Sequence, residues 1–155
     1  VSPRGDLYVG NLHDSGWGGG RNVGSLVRLR PNGRWSAGLA DVRARPDGFE
    51  IEFTQPMDRA AVGDPRRYRI ERFRRVSTPQ YGGDDVDRAT VAVRRVAAAP
   101  DGRSVRLFVD RLHAGFVYEF HVADLAKSGE TFFPDEAYYT MKRVPSVSAT
   151  ADEKE

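Results

Sequence analysis

The sequence predicts an all-β fold, an immunoglobulin-like or fibronectin III-like sandwich of about seven strands preceded by a short hairpin, and three observations predict it. Apolar residues alternate strictly at Phe49, Ile51 and Phe53 before a Pro56-Met57-Asp58 turn. The same period of two returns at Val105, Leu107, Val109 and at Tyr118, Phe120, Val122, which are therefore expected to face inward. Turn signals fall between such runs at Pro46-Asp47-Gly48, Pro100-Asp101-Gly102 and His113-Ala114-Gly115, where Gly and Asp tolerate the backbone that reverses a chain.

In chain order, residues 6–10 and 24–30 read as two short strands joined by a glycine-rich loop, with a turn at Pro31-Asn32-Gly33. Two strands alone are marginally stable, so the pair must borrow a core from the following domain or from a body upstream. The expected organisation is a hairpin unit over residues 1–35, a sandwich over 36–145 and a disordered tail over 146–155. Sandwich strands are expected near 39–45, 49–54, 67–75, 90–96, 104–109, 116–123 and 137–142. Between the second and third, residues 58–66 suit one helical turn capped by Asp58, whose carboxylate can accept the free amide protons of that turn. Two strands change phase, Tyr68 and Ile70 against Phe73, and Val91 and Val93 against Val96, so β-bulges are predicted near Glu71 and Arg94.

Composition narrows the function classes. The 155 residues suit one domain, or a domain with an attached piece of another. With no Cys there is no disulfide framework, thiolate metal site or cysteine nucleophile. Basic and acidic residues number 24 and 22, a net charge of +2 that makes a weak long-range field and argues against nucleic acid as a partner. Arginine dominates the cations, most densely at Arg66, Arg67, Arg69, Arg72, Arg74 and Arg75. Interleaving with Tyr68, Ile70 and Phe73 reads as the solvated face of a half-buried strand rather than an anion site. No apolar run approaches the roughly 18 residues that cross a bilayer, so no membrane span is expected.

No residue set has the spacing of a catalytic centre. Of the histidines, His121 stands at the opposite parity from its apolar neighbours and His113 lies in a turn. His13 is more suggestive, because Asn11, His13, Asp14 and Trp17 offer an amide, an imidazole, a carboxylate and an indole on glycine-permissive backbone, a combination suited to a polar, ring-shaped ligand. A hairpin loop with Trp17 packed on its neighbour explains the same residues without a ligand. Asp84, Asp85 and Asp87 invite a calcium reading through clustered oxygen ligands. Their spacing does not match an EF-hand loop, so a solvated loop stiffened by Tyr81 packing is the favoured reading. The glycine runs lack the strand, helix and Gly-Lys-Ser/Thr context of a phosphate cradle, and there is no Gly-x-Ser-x-Gly elbow.

Asp6-Leu7-Tyr8-Val9-Gly10, Ser15-Gly16-Trp17-Gly18 and Leu26-Val27-Arg28-Leu29 resemble the closing blade of a six-bladed propeller of the glucose/sorbosone dehydrogenase-like family. In large secreted multidomain proteins of planctomycete-type bacteria that propeller precedes a sandwich. Its phrases are similar to Gly48-Phe49-Glu50-Ile51-Glu52-Phe53-Thr54-Gln55-Pro56-Met57-Asp58, Asp64-Pro65-Arg66-Arg67-Tyr68, Tyr81-Gly82 and Ala137-Tyr138-Tyr139-Thr140. The resemblance implies an extracytoplasmic parent protein that binds pyrroloquinoline quinone (PQQ) or a sugar, often with a c-type cytochrome domain carrying haem c. This chain holds at most one blade and has no Cys-x-x-Cys-His, so no cofactor is expected within it.

Three functions are carried forward. The first is a non-catalytic accessory module that packs on and stabilises the propeller of its own polypeptide, which exposed apolar surface on the strand pair would support. The second is a carbohydrate-binding module stacking sugars on Trp17, Trp35 and Tyr81. The third is a fragment of a quinone-dependent sugar oxidoreductase site, with His13 and Asp14 contributing.

Overall fold

Alternating apolar residues close two four-stranded antiparallel sheets face to face in the computed structural model, which describes residues 6–13, 23–30, 32–33, 36–80, 82–123, 125–126 and 130–146. Only the backbone is described for residues 11–13 and 23. The chain divides into two units, residues 1–34 and 35–155. The first contains β1 (Leu7–His13) and β2 (Val23–Leu29), an antiparallel hairpin.

The second unit is the sandwich. One sheet runs in the order β3 (Leu39–Arg45), β4 (Gly48–Phe53), β8 (Ser104–Val109), β7 (Val93–Ala98). The other runs β10 (Glu136–Met141), β9 (Phe116–Val122), β5 (Tyr68–Arg75), β6 (Asp85–Val91). These are the A-B-E-D and G-F-C-C′ orders of an immunoglobulin-like sandwich. Just ahead of β3, Ala37 bridges Phe132 in parallel, and Leu39 N–H donates to the Pro134 carbonyl at 2.8 Å. The approach to β3 is thereby tied to the approach to β10, across the two sheets.

The inward sets expected from alternation are buried: Phe49, Ile51 and Phe53 on β4, Val105, Leu107 and Val109 on β8, and Tyr118, Phe120 and Val122 on β9. Phe49, Ile51 and Phe53 face the opposite sheet together because side chains recur on one face every second residue. Asp58 caps α1 (Arg59–Val62) as expected, its carboxylate accepting from Ala61 N–H at 2.8 Å. A 3-10 turn (Pro65–Arg67) follows, and Tyr68 O–H donates to the Val62 carbonyl at 2.6 Å, locking this connection onto the core.

The structure corrects three expectations. The single strand expected at 90–96 is two: Val91 ends β6 in one sheet and Val93 begins β7 in the other, with Ala92 at the crossing. The bulge expected near Arg94 is present, since register with β8 shifts between Val93 and Arg95. The bulge expected near Glu71 is not in β5, which holds register with β9 from Tyr68↔Val122 to Phe73↔Val117. The irregularity lies instead in β6, where Asp87 takes a left-handed φ of 55°. Phe73 therefore shares the outer face with Glu71 and Arg75 and is covered by the Arg88 guanidinium, 4.5 Å above its ring. An apolar residue out of phase can be buried by a neighbouring arginine instead of by the core. Finally, Arg72 is not on the solvated arginine face, because it stands opposite buried Tyr118 on the inward side.

Candidate functional site

Among the described residues, six of the nine exposed large apolar side chains lie on the hairpin. Register pairs Leu7 with Leu29 and Val9 with Val27, putting these four side chains on one face. Tyr8 and Leu26 lie on the other. All six are exposed, Leu26 most at 73 %. Single exposed apolar residues are ordinary, but Leu7, Val9, Val27 and Leu29 side by side on one face of two paired strands form a patch of the kind that marks an interaction surface. At its base, Asp6 is buried and lies 3.7 Å from the Arg30 guanidinium.

Asn11 and His13 stand at the far end of β1, opposite Ser25 and Val23 in the ladder. Their side chains, with Asp14, Trp17, Trp35 and Tyr81, lie outside the described residues, as does the expected tail from residue 147.

The three aspartates of the 84–87 stretch are held separately. Asp84 uses its carbonyl to accept from Val76 N–H at 3.1 Å. Asp85 accepts from Arg75 Nε–H at 2.9 Å and from Arg88 at 3.3 Å. Asp87 accepts two N–H donors from Arg74. Arg74 and Arg75 are consecutive in β5 and so point to opposite faces, carrying their aspartate partners with them. Among the described residues, no three His, Cys, Asp or Glu side chains converge as a metal site.

On the outer face of the β10-β9-β5-β6 sheet, charge forms a connected network that sequence reasoning missed. Arg88 donates to Glu71 at 2.7 Å, to Glu119 at 2.6 Å and to Asp85, while Arg69 donates to Glu71 at 3.0 Å. His121, expected to face solvent without a partner, has Nε2 3.0 Å from Glu119 and Nδ1 3.2 Å from Glu136. Same-parity spacing of Glu119 and His121 was the available signal, but Glu136 and Arg88 arrive from other strands. Phe73, Val117 and half-exposed Tyr138 line a shallow groove of about 420 Å³ beside Arg88, and Tyr138 O–H donates to Glu119 at 3.3 Å.

The Arg88 donor, followed by His121, holds the Glu119 carboxyl below its usual range despite opposing desolvation. A depressed folded pKa contributes stability that is present above the ordinary carboxylate pKa and lost as pH falls through the folded one. Urea unfolding of the chain should therefore show stability falling as pH drops below about 4. Glu119→Gln should flatten that fall. An unchanged pH slope in the variant would mean that Glu119 is not linked to folding.

No protein-family model matches the chain, and no curated protein matches it significantly. Among solved structures, the chain is similar in fold to two of the bacterial S-layer protein SbsC. The crystal structure of its residues 31–844 gives a TM-score of 0.52 at 21 % identity over 72 % of this chain. The crystal structure of its N-terminal part gives 0.51 at 19 % identity over 72 % of this chain. The chain spans only 14 % and 25 % of those two. At this identity the likeness establishes the sandwich fold.

Proposed function

We propose that the chain is a non-catalytic sandwich module of a larger secreted protein, packing through its hairpin on the propeller body that the sequence resembles and stabilising it. The exposed apolar patch on β1 and β2 carries this reading. A lone two-stranded hairpin is marginal in water, and covering apolar area contributes about 25 cal/mol per Å². A sheet laid against Leu7, Val9, Val27 and Leu29 therefore supplies the core that the hairpin lacks. PQQ and haem c belong, in this reading, to the parent. With no cysteine the chain has no thioether attachment for haem.

The test begins with intact mass and gene context, which should reveal blades upstream of Val1 in one polypeptide. Hydrogen exchange at β1 and β2 amides should then be at least about tenfold slower in that polypeptide than in the 155-residue chain. Val27→Asp should abolish the difference while leaving the sandwich amides unchanged. Equal protection in both contexts, or a gene encoding no further body, overturns the proposal.

A second reading, carbohydrate binding, is favoured by one observation: Tyr138 is 60 % exposed beside the groove of Phe73 and Arg88. An exposed ring flanked by paired arginine and carboxylate groups suits the faces and hydroxyls of a sugar. Tyr138→Ala should abolish retention on a polysaccharide column if the groove is used, and unchanged retention would exclude it.

A further inference from the structure

Arg72 occupies an inward position of β5, where strand alternation calls for an apolar residue. Its neighbours in that phase, Tyr68 and Ile70, are buried. Arg72 is only half-buried, and its guanidinium lies 4.9 Å from the centre of the Phe116 ring. There it lines a concavity of about 220 Å³ with Arg111, His113 and Asp110, under the crossing of β6 to β7 at Ala92.

The charges in this concavity do not balance. Asp110 is taken by Arg94, which donates from Nε at 2.7 Å and from a second nitrogen, and this pairing holds the Asp110 carboxyl below its usual range. Arg74, 5.8 Å from the centre of the Phe116 ring, is taken by Asp87. Among the described residues, neither Arg72 nor Arg111 has an ion-pair or side-chain hydrogen-bond partner. The His113 ring meets Phe116 edge-on at 5.8 Å, and its backbone N–H is fixed by the Tyr118 hydroxyl at 2.7 Å. Burial first, and then repulsion from Arg72 and Arg111, hold the His113 imidazole below its usual range.

Half-buried Arg72 and exposed Arg111 thus set two guanidiniums without a counter-charge beside one imidazole, an arrangement that favours an anion. We propose that the pocket of Arg72, Arg111 and His113 binds an oxyanion group, a carboxylate or a sulfate. Guanidinium forks match both by paired N–H donors, and Phe116 holds the Arg72 plane in place for that contact. The volume admits one acidic group with its immediate substituent. Binding favours protonation of His113, which then adds a third donor, so affinity rises as pH falls through the imidazole range.

The test is NMR of the 155-residue chain, following the His113 ring protons while sodium sulfate or sodium glucuronate replaces sodium chloride at constant ionic strength. A saturable shift with either probe, accompanied by an upward move of the His113 titration midpoint, is expected. Saturation by sulfate alone identifies a free or esterified sulfate as the ligand class, and saturation by glucuronate identifies a carboxylated sugar. Arg72→Gln and Arg111→Gln should each weaken binding about tenfold, the loss of a charge-assisted hydrogen bond. Both should also raise the midpoint in the absence of probe, because a repelling charge is gone. Arg59→Gln, on α1, should change nothing. Arg111 is exposed, so its variant remains informative if Arg72→Gln does not fold. Shifts that never saturate, or saturation undiminished in Arg111→Gln, overturn the proposal.

Discussion

Phe49→Ala should lower folding stability by about 4 kcal/mol, the cost of deleting a buried aromatic ring and leaving its cavity. Phe49 has no exposed surface and stands on β4, between β3 and β8. Its ring lies 5.0 Å from Tyr118, 4.8 Å from Phe120 and 5.9 Å from Tyr139, all on strands of the opposite sheet. One side chain thus meets three aromatic rings across the sandwich, in tilted and edge-on arrangements that add to simple area burial. Domains of this size hold about 5–15 kcal/mol in total, so the loss is a large fraction of what keeps the chain folded. Urea unfolding followed by circular dichroism should show a much lower midpoint at similar slope. A loss below about 1.5 kcal/mol would mean that the two sheets can close over the vacancy.

Gly48→Ala should cost about 3 kcal/mol, combining backbone strain with overpacking. Gly48 has φ +154°, and a methyl group there would stand 1.9 Å from the Leu107 carbonyl oxygen of the neighbouring strand. That oxygen belongs to the centre of the sheet and cannot retreat without breaking the β4-β8 ladder. Gly115 provides the internal comparison: its φ is +82°, but an added methyl group would meet nothing within 4 Å. Gly115→Ala should therefore cost about 1 kcal/mol, from strain alone. Equal losses at the two glycines would show that contact with Leu107 is not the limiting term.

These two sites separate what local chemistry can announce from what it cannot. Phe49 was legible because its strand alternates cleanly, and each alternating residue has one apolar face to satisfy. Gly48 was legible as a turn residue, but the oxygen that forbids a side chain comes from Leu107, 59 residues further along the chain. The same distinction explains the outer face. Phe73 looks like a core residue displaced by a bulge until Arg88 is brought over it by β6. Arg72 looks like one more solvated arginine until the register with β9 turns it inward. His121 looks unpartnered until β10 delivers Glu136 beside it.

The hairpin shows the limit from the other side. Its strands and their apolar character could be read from residues 6–10 and 24–30. The pairing that puts Leu7, Val9, Val27 and Leu29 on one exposed face depends on a register that composition does not carry. By itself, then, the sequence determined the sandwich class, the inward residues of β4, β8 and β9, and the capped turn at Asp58. Each follows from a period of two or from a contact within a few residues. Only the tertiary structure decided the crossing of β6 to β7, the arginine-covered face, the unbalanced pocket at Arg72 and the exposed patch of the hairpin. Those depend on which distant strands become neighbours, and a charge or a ring is stabilised by whatever stands beside it in space.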